Sequence, residues 1–441
     1  MYSRIKNFIN NSLFANNIDN ILYMIMLLIL SSAVCLKSDY MGALALLFSI
    51  LTIFKSIFIR TKEKFEFRNY HKAILIFFLI VTLSLFGSTL FSLSFHGYIK
   101  TFIYILFFYC SSIFFKDNKN KITPTILFVS FLMSAESIIA IIQNNTGVLE
   151  ISGWQDTTSI NPEEVVSRAY GTLQPYNPNL LAGYLLCGLS SFVYLILNFL
   201  SKNKKKIALL FSILFLINLI AIIDTGCRGA YLGFLFFFPC LFLAIIYYVQ
   251  KKFGGISNIK KRYKNITLAG VIGILFFIFT NPALIKRFES ILAFREDSSI
   301  SFRLNVYESA IKMFLDNPFL GIGVGNQNFR EIYGLYMKTG FDALGSYCVP
   351  LEIAVESGIF ALIAFILFLF LVVKFCLETG LKKAPKEEIG TKDRILCLSI
   401  ILMILATMGH GLFDTIWFRP QVQLLFWINI SMLSALKIKI K

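Results

Sequence analysis

The chain has 441 residues, 57% of them hydrophobic and only 15% charged, with a formal net charge of +17. Mean hydropathy is +0.72, whereas a soluble domain carries about 25% charged residues. A soluble globular protein is excluded, and the composition indicates an all-α, polytopic membrane protein.

Apolar runs, each near the ~20 residues that cross a hydrocarbon core, fall at 21–36, 41–59, 73–95, 98–115, 122–143, 179–200, 207–223, 229–250, 265–281, 350–373, 395–412 and 421–437. They predict about twelve transmembrane helices in a single integral domain over 1–441. No small-residue cleavage site follows the first run, so it reads as a retained anchor. Basic residues crowd alternate loops. They are Arg60, Lys62, Lys64, Arg68 and Lys72; Lys116, Lys119 and Lys121; Lys202 and Lys204 to Lys206; Lys251, Lys252, Lys260, Lys261, Arg262 and Lys264; and Lys382, Lys383, Lys386, Lys392 and Arg394. Arg4 and Lys6 at one end, and Lys437, Lys439 and Lys441 at the other, fall in the same phase, so both termini are expected in the cytoplasm. This alternation accounts for the positive charge without a nucleic-acid partner. It also supports the span count, since one missed helix would put every later basic cluster on the wrong side.

Two long extracytoplasmic loops are expected, at 144–178 and at 282–349, the second between the ninth and tenth spans. Within the second, Ser301 to Leu315 places Arg303, Tyr307, Ala310 and Phe314 on one helical face, with Glu308 and Lys312 spaced as an i, i+4 pair. This predicts an amphipathic helix capped by Ser301 and ended by Asp316-Asn317-Pro318. The eight cysteines form no CxxC motif, and six lie in or beside apolar runs as small buried residues. Cys227 and Cys348 are both expected outside, which permits a disulfide between them in an oxidising compartment.

Four isolated arginines share that outer side: Arg168, Arg228, Arg303 and Arg419. A permanent cation where a chain leaves the bilayer suits an anionic ligand, or else a snorkelling side chain or a local ion pair such as Arg228 with Asp224. Arg303 falls in the first turn of the expected helix, where the dipole disfavours a cation by several tenths of a kcal/mol. A phosphate would compensate, as would a pair with Glu308 or Asp297. Asn177 and Asn179, in the turn that leads into the sixth span, have the character of turn and cap residues. Gly321, Gly323 and Gly325 in GIGVG lack the strand-turn-helix context of a dinucleotide fingerprint and indicate a turn. Glu352 and Glu356, one helical turn apart, are candidates for counter-ion, general base or solvated helix start. His410 and Asp414 have i, i+4 spacing, but two groups do not make a metal site, and no metal or other cofactor is implied.

DTGCRGAYLG (Asp224 to Gly233) and RLNVYESAIKMFLDNPFLGIGVGNQNF (Arg303 to Phe329) resemble the shared motifs of the O-antigen ligase and O-antigen polymerase superfamily of bacterial membrane proteins. YNPNLLAGYL (Tyr176 to Leu185), SYCVPLEIAVESG (Ser346 to Gly358) and HGLFDTIWFRPQV (His410 to Val422) resemble its inorganic-carbon branch, the IctB-type "putative bicarbonate transporter". The superfamily resemblance implies an inverting, metal-independent membrane glycosyltransferase acting at the outer, periplasmic face of the inner membrane. It would move a glycan from a polyprenyl-diphosphate donor to a glycan or lipid acceptor, with Arg228, Arg303 and, less directly, Arg168 on the diphosphate. The branch name implies the alternative of a bicarbonate transporter or accessory factor, in the plasma or the thylakoid membrane. Ligases of the family carry a histidine before the LE segment, as HNxxLE, where this chain has Tyr347. With an ordinary pKa near ~10 a tyrosine is a poor base at neutral pH, which leaves Glu352, Glu356 or a base-free reaction.

Overall fold

A computed structural model describes residues 13–35, 38–59, 65–146, 168–253, 298–338, 340, 342–381 and 390–436. They form thirteen α-helices: α1 Leu13–Cys35, α2 Ser38–Phe58, α3 Asn69–Phe86, α4 Phe91–Asp117, α5 Ile122–Thr146, α6 Pro178–Ser201, α7 Lys205–Asp224, α8 Arg228–Phe253, α9 Ser298–Asp316, α10 Asn326–Tyr333, α11 Val349–Leu381, α12 Thr391–Gly411 and α13 Pro420–Ser431. Ten of them, α1 to α8 with α11 and α12, are long and apolar enough to cross a membrane. The expected span at 265–281, residues 147–167 and 282–297 of the two long loops, both termini and several of the basic clusters lie outside the described residues.

Two expected spans are corrected. The run 73–95 is not one helix: α3 stops at Phe86, and the Gly87 N–H turns back to the Ser84 carbonyl at 3.1 Å before α4 begins at Phe91. Hydrophobicity hides the break because Leu90 and Phe91 continue the apolar run. The last run, expected over 421–437, holds twelve α-helical residues followed by a 3-10 turn, Met432–Ala435. That is short of the ~20 residues of a full span. It is buried along its whole length, the condition under which irregular backbone survives at membrane depth.

α6 is the central helix, buried at nearly every position, and packs against α5, α7, α12 and α13. Within a bilayer, close backbone approach rather than the hydrophobic effect drives such contacts. At the α8–α12 contact a Cβ on Gly229 would lie 2.6 Å from His410 Cδ2, and one on Gly233 would lie 2.8 Å from the Ala406 carbonyl oxygen. Arg68, buried just ahead of α3, donates from Nη1 to the Leu433 carbonyl at 2.8 Å and from Nη2 to the Leu436 carbonyl. Its guanidinium lies 4.6 Å from the Phe375 ring centroid. The entrance of α3 is thereby tied to the last carbonyls of the described chain.

α11 is interrupted at Gly358 (φ 80°, ψ 175°), and the Ile359 N–H donates to the Pro318 carbonyl at 2.8 Å. Gly321, Gly323 and Gly325 all have positive φ (69°, 100° and 117°), as the GIGVG turn requires. The turn runs beside the break, with Ile322 N and Gly323 N donating to the carbonyls of Val355 and Glu356.

Candidate functional site

α9, α10 and the GIGVG turn enclose a small core of their own, built from Val306, Ala310, Met313, Phe329, Tyr333 and Val355. α9 begins at Ser298, so Ser301 lies inside the helix rather than capping it, and Arg303 falls in the second turn. The dipole penalty expected for Arg303 fades there. Asp316 ends the helix as predicted.

From α9, Arg303 Nη2 reaches Asp414 Oδ2 at 3.4 Å, and its guanidinium lies 5.5 Å from the Tyr347 ring centroid. Asp414, 3% exposed, also accepts from Asn179 Nδ2 at 3.1 Å. Asn179 Oδ1 accepts from Arg168 Nη2 at 2.8 Å, and Arg168 Nε donates to the Thr225 carbonyl at 2.8 Å. Thr225 belongs to the α7–α8 turn that leads into Arg228, the first residue of α8. One chain of contacts therefore links Arg303, Asp414, Asn179 and Arg168 to the turn that carries Arg228, drawing on five separate segments. Burial opposes the Arg303 charge, but the Asp414 carboxylate together with Cys227, Tyr307 and Tyr347 outweighs it and holds the guanidinium pKa above its ordinary value.

The segment bearing Arg168 is clamped from α5. Glu136 accepts from Thr172 N at 2.9 Å and from the Thr172 hydroxyl, and Gln143 accepts from Gly171 N at 2.8 Å and donates to the Gly171 carbonyl at 3.1 Å. Asn177 caps α6 as expected, accepting from Asn179 N at 2.8 Å.

His410 and Asp414 part company: Asp414 turns to Arg303, while His410 Nε2 lies 3.6 Å from Cys227 Sγ in a buried slot beside Gly183 and Gly229. The disulfide considered between Cys227 and Cys348 is not formed, and both are free thiols. Glu308, considered for Arg303, is bonded by Lys338, and Asp297 lies outside the described residues.

Tyr347 has φ +53°, a left-handed conformation costly for an aromatic residue, and is held by its surroundings. The Tyr307 hydroxyl donates to its carbonyl at 3.2 Å, and the neighbouring Ser346 N–H donates to Glu352. Burial, reinforced by the Asp414 charge, pushes the Tyr347 phenol up to about 12. Glu352 and Glu356 are both buried rather than solvated. Glu352 anchors the loop ahead of α11, and Glu356 Oε1 accepts from Gly325 N at 2.8 Å. Arg419 caps α13 through its backbone, its carbonyl accepting from Val422 N and Gln423 N, and no contact joins it to the other arginines among the described residues. Sequence reasoning weighed Asn179 only as a turn residue and Asp414 only as half of a metal pair, and it passed over Glu136. Glu136, a lone carboxylate in an apolar run, carried the one available signal.

The ten long apolar helices among the described residues define a multi-pass membrane protein. Residues 211–366 of the 441 match the family model described as O-Antigen ligase, the superfamily whose motifs this segment resembles. Arg228, Arg303, Tyr347, Glu352 and Glu356 fall within the matched segment, whereas Arg168, Asn179, Asp414 and Arg419 fall outside it. No curated protein matches the chain.

Proposed function

We propose that the chain is a membrane glycan ligase or polymerase that transfers a glycan from a polyprenyl-diphosphate donor to a hydroxyl of a glycan or lipid acceptor, at the periplasmic face of the inner membrane. The observation that supports it is the convergence of Arg168 and Arg303 on Asn179 and Asp414 beside the turn that begins α8 at Arg228. In the transfer, the acceptor oxygen bonds to the anomeric carbon while the bond from that carbon to the diphosphate breaks. The electron pair leaves on the diphosphate oxygen, and the acceptor proton ends on the released lipid diphosphate. Fixed guanidinium groups stabilise charge that develops on this leaving group. Inside the site, Asp414 holds Arg303 in place before the donor arrives. Tyr347 stays neutral and orients Arg303 through its ring. Glu352 and Glu356 position the Tyr347 loop and the GIGVG turn. Arg419 belongs to the outer rim of the same end.

The test is the lipid-linked glycan profile of cells lacking the protein, complemented with wild type, Arg228→Ala or Arg303→Ala at matched expression. Accumulated polyprenyl-diphosphate glycan that wild type clears and both variants leave is the expected result. An unchanged profile together with reduced bicarbonate uptake would replace this reading with the transport function of the inorganic-carbon branch.

A further inference from the structure

The end of the bundle opposite the arginines carries cations for which the proposed transfer has no use. Lys202, Lys204, Lys205 and Lys206 are exposed in and after the α6–α7 turn, where Asn203 adopts φ +58°. Lys119 and Lys121 occupy the turn between α4 and α5, and Lys392 and Arg394 open α12. These three elements meet. Lys119 Nζ bonds Asp393 at 3.0 Å, and both Lys202 and Lys119 lie close enough to Lys392 to act on its charge. Asp393 offsets part of this charge through Lys119, while the Asp117 carboxylate is taken by buried Lys55 at 2.7 Å, so cations remain in excess. Asn203, Lys204, Lys205, Lys206 and Ile207 line an open groove of about 460 Å³.

Like charges brought together on three elements repel, so the arrangement calls for an anion. The flanks indicate which kind. Leu200 (49% exposed), Leu209 (62%) and Leu210 (52%) face outward on the two helices that the basic turn joins. Both helices are candidate membrane spans, so these leucines meet acyl chains. A ligand that is phosphoryl at its head and aliphatic behind it satisfies both surfaces. We propose that this basic turn, with Lys119 and Lys392 beside it, is a binding site for the phosphate head group of an anionic phospholipid. Each lysine near such a surface adds to the attraction, and the effect falls off within a Debye length.

The test uses the full chain, purified in detergent and titrated with phosphatidylglycerol or phosphatidylcholine, with bound lipid counted by native mass spectrometry. Replacing Lys202, Lys204, Lys205 and Lys206 together by glutamine should weaken retention of phosphatidylglycerol about tenfold or more, leave phosphatidylcholine unchanged, and flatten the salt dependence. Lys312→Gln, an exposed lysine on α9, is the control and should behave as wild type. The double change Lys205→Gln with Lys206→Gln should give an intermediate loss, which covers the case in which the quadruple variant folds poorly. Retention of phosphatidylglycerol equal to wild type in both variants overturns the proposal. Displacement of the lipid by millimolar inorganic phosphate also overturns it, because the site would then take a free anion rather than a head group.

Discussion

Replacing Asp414 by asparagine keeps the volume of the side chain and an acceptor for Asn179, and removes only the charge opposite Arg303. At 3.4 Å, two unit charges attract by about 5 kcal/mol at an effective dielectric of about 20. Part of this returns on mutation, because Arg303 is 21% exposed and solvent reaches it. Hydrogen bonds to charged groups contribute about 1.5–3 kcal/mol net, so the expected loss of stability is roughly 2–3 kcal/mol. The same change lifts a competitor from the guanidinium. Inorganic pyrophosphate should therefore protect the variant against thermal unfolding more than it protects wild type, with an apparent affinity at least about tenfold higher, since about 1.4 kcal/mol corresponds to a factor of ten. Thermal unfolding of both proteins in detergent, with and without pyrophosphate, measures the two effects together. A variant as stable as wild type, with the same response to pyrophosphate, would refute the view of Asp414 as the resident counter-ion of an anion site.

Arg303→Lys should lose most transfer activity, because a point charge can bond Asp414 but cannot also stack on Tyr347. Glycan turnover at matched protein level measures it. Gly358→Ala forces an L side chain to φ +80° against the Phe319 carbonyl, and should destabilise the protein by at least about 1–3 kcal/mol in a thermal-unfolding comparison. For Tyr347 the folded pKa lies above the ordinary value of 10. Its contribution to stability is thus fully present below pH 10 and lost as pH rises through about 12. Tyr347→Phe should remove that part of the alkaline decline while leaving the activity profile near neutrality unchanged, and unfolding midpoints between pH 8 and 12 test it. Glu136→Ala removes the acceptor for Thr172 and should expose the Arg168 segment to proteolysis while leaving the rest of the bundle resistant.

The spans were legible because about twenty apolar residues bounded by basic clusters can satisfy their backbone in a bilayer only as helices. The break at Gly87 was not, since a turn enclosed by apolar residues leaves hydropathy unchanged. The short final helix was missed for a related reason: burial by neighbouring helices lets a segment forgo full span length, and neighbours are invisible in a linear pattern. At the site, the arginines stood out because a cation in apolar sequence is costly. Their partner did not. Asp414 lies 111 residues from Arg303 and 235 from Asn179, and its one local regularity, the spacing from His410, suggested a ligand pair that the fold separates. Glu352 and Glu356 were noticed for the same reason as the arginines, but their roles depend on which backbone N–H groups the loops bring to them.

The bond from Arg68 to the Leu433 carbonyl spans 365 positions in the chain. At ~5–20 residues per second, the ribosome needs about 20–70 s after making the donor to make its acceptor. Throughout that interval the guanidinium at the mouth of α3 has only nearer partners, such as the Glu66 carboxylate at 3.6 Å. The two bonds that tie the mouth of α3 to the turn after α13 therefore form late, and that turn acts as a keystone for this corner of the bundle. A nascent chain arrested before Leu433 would leave Arg68 without both of these carbonyls.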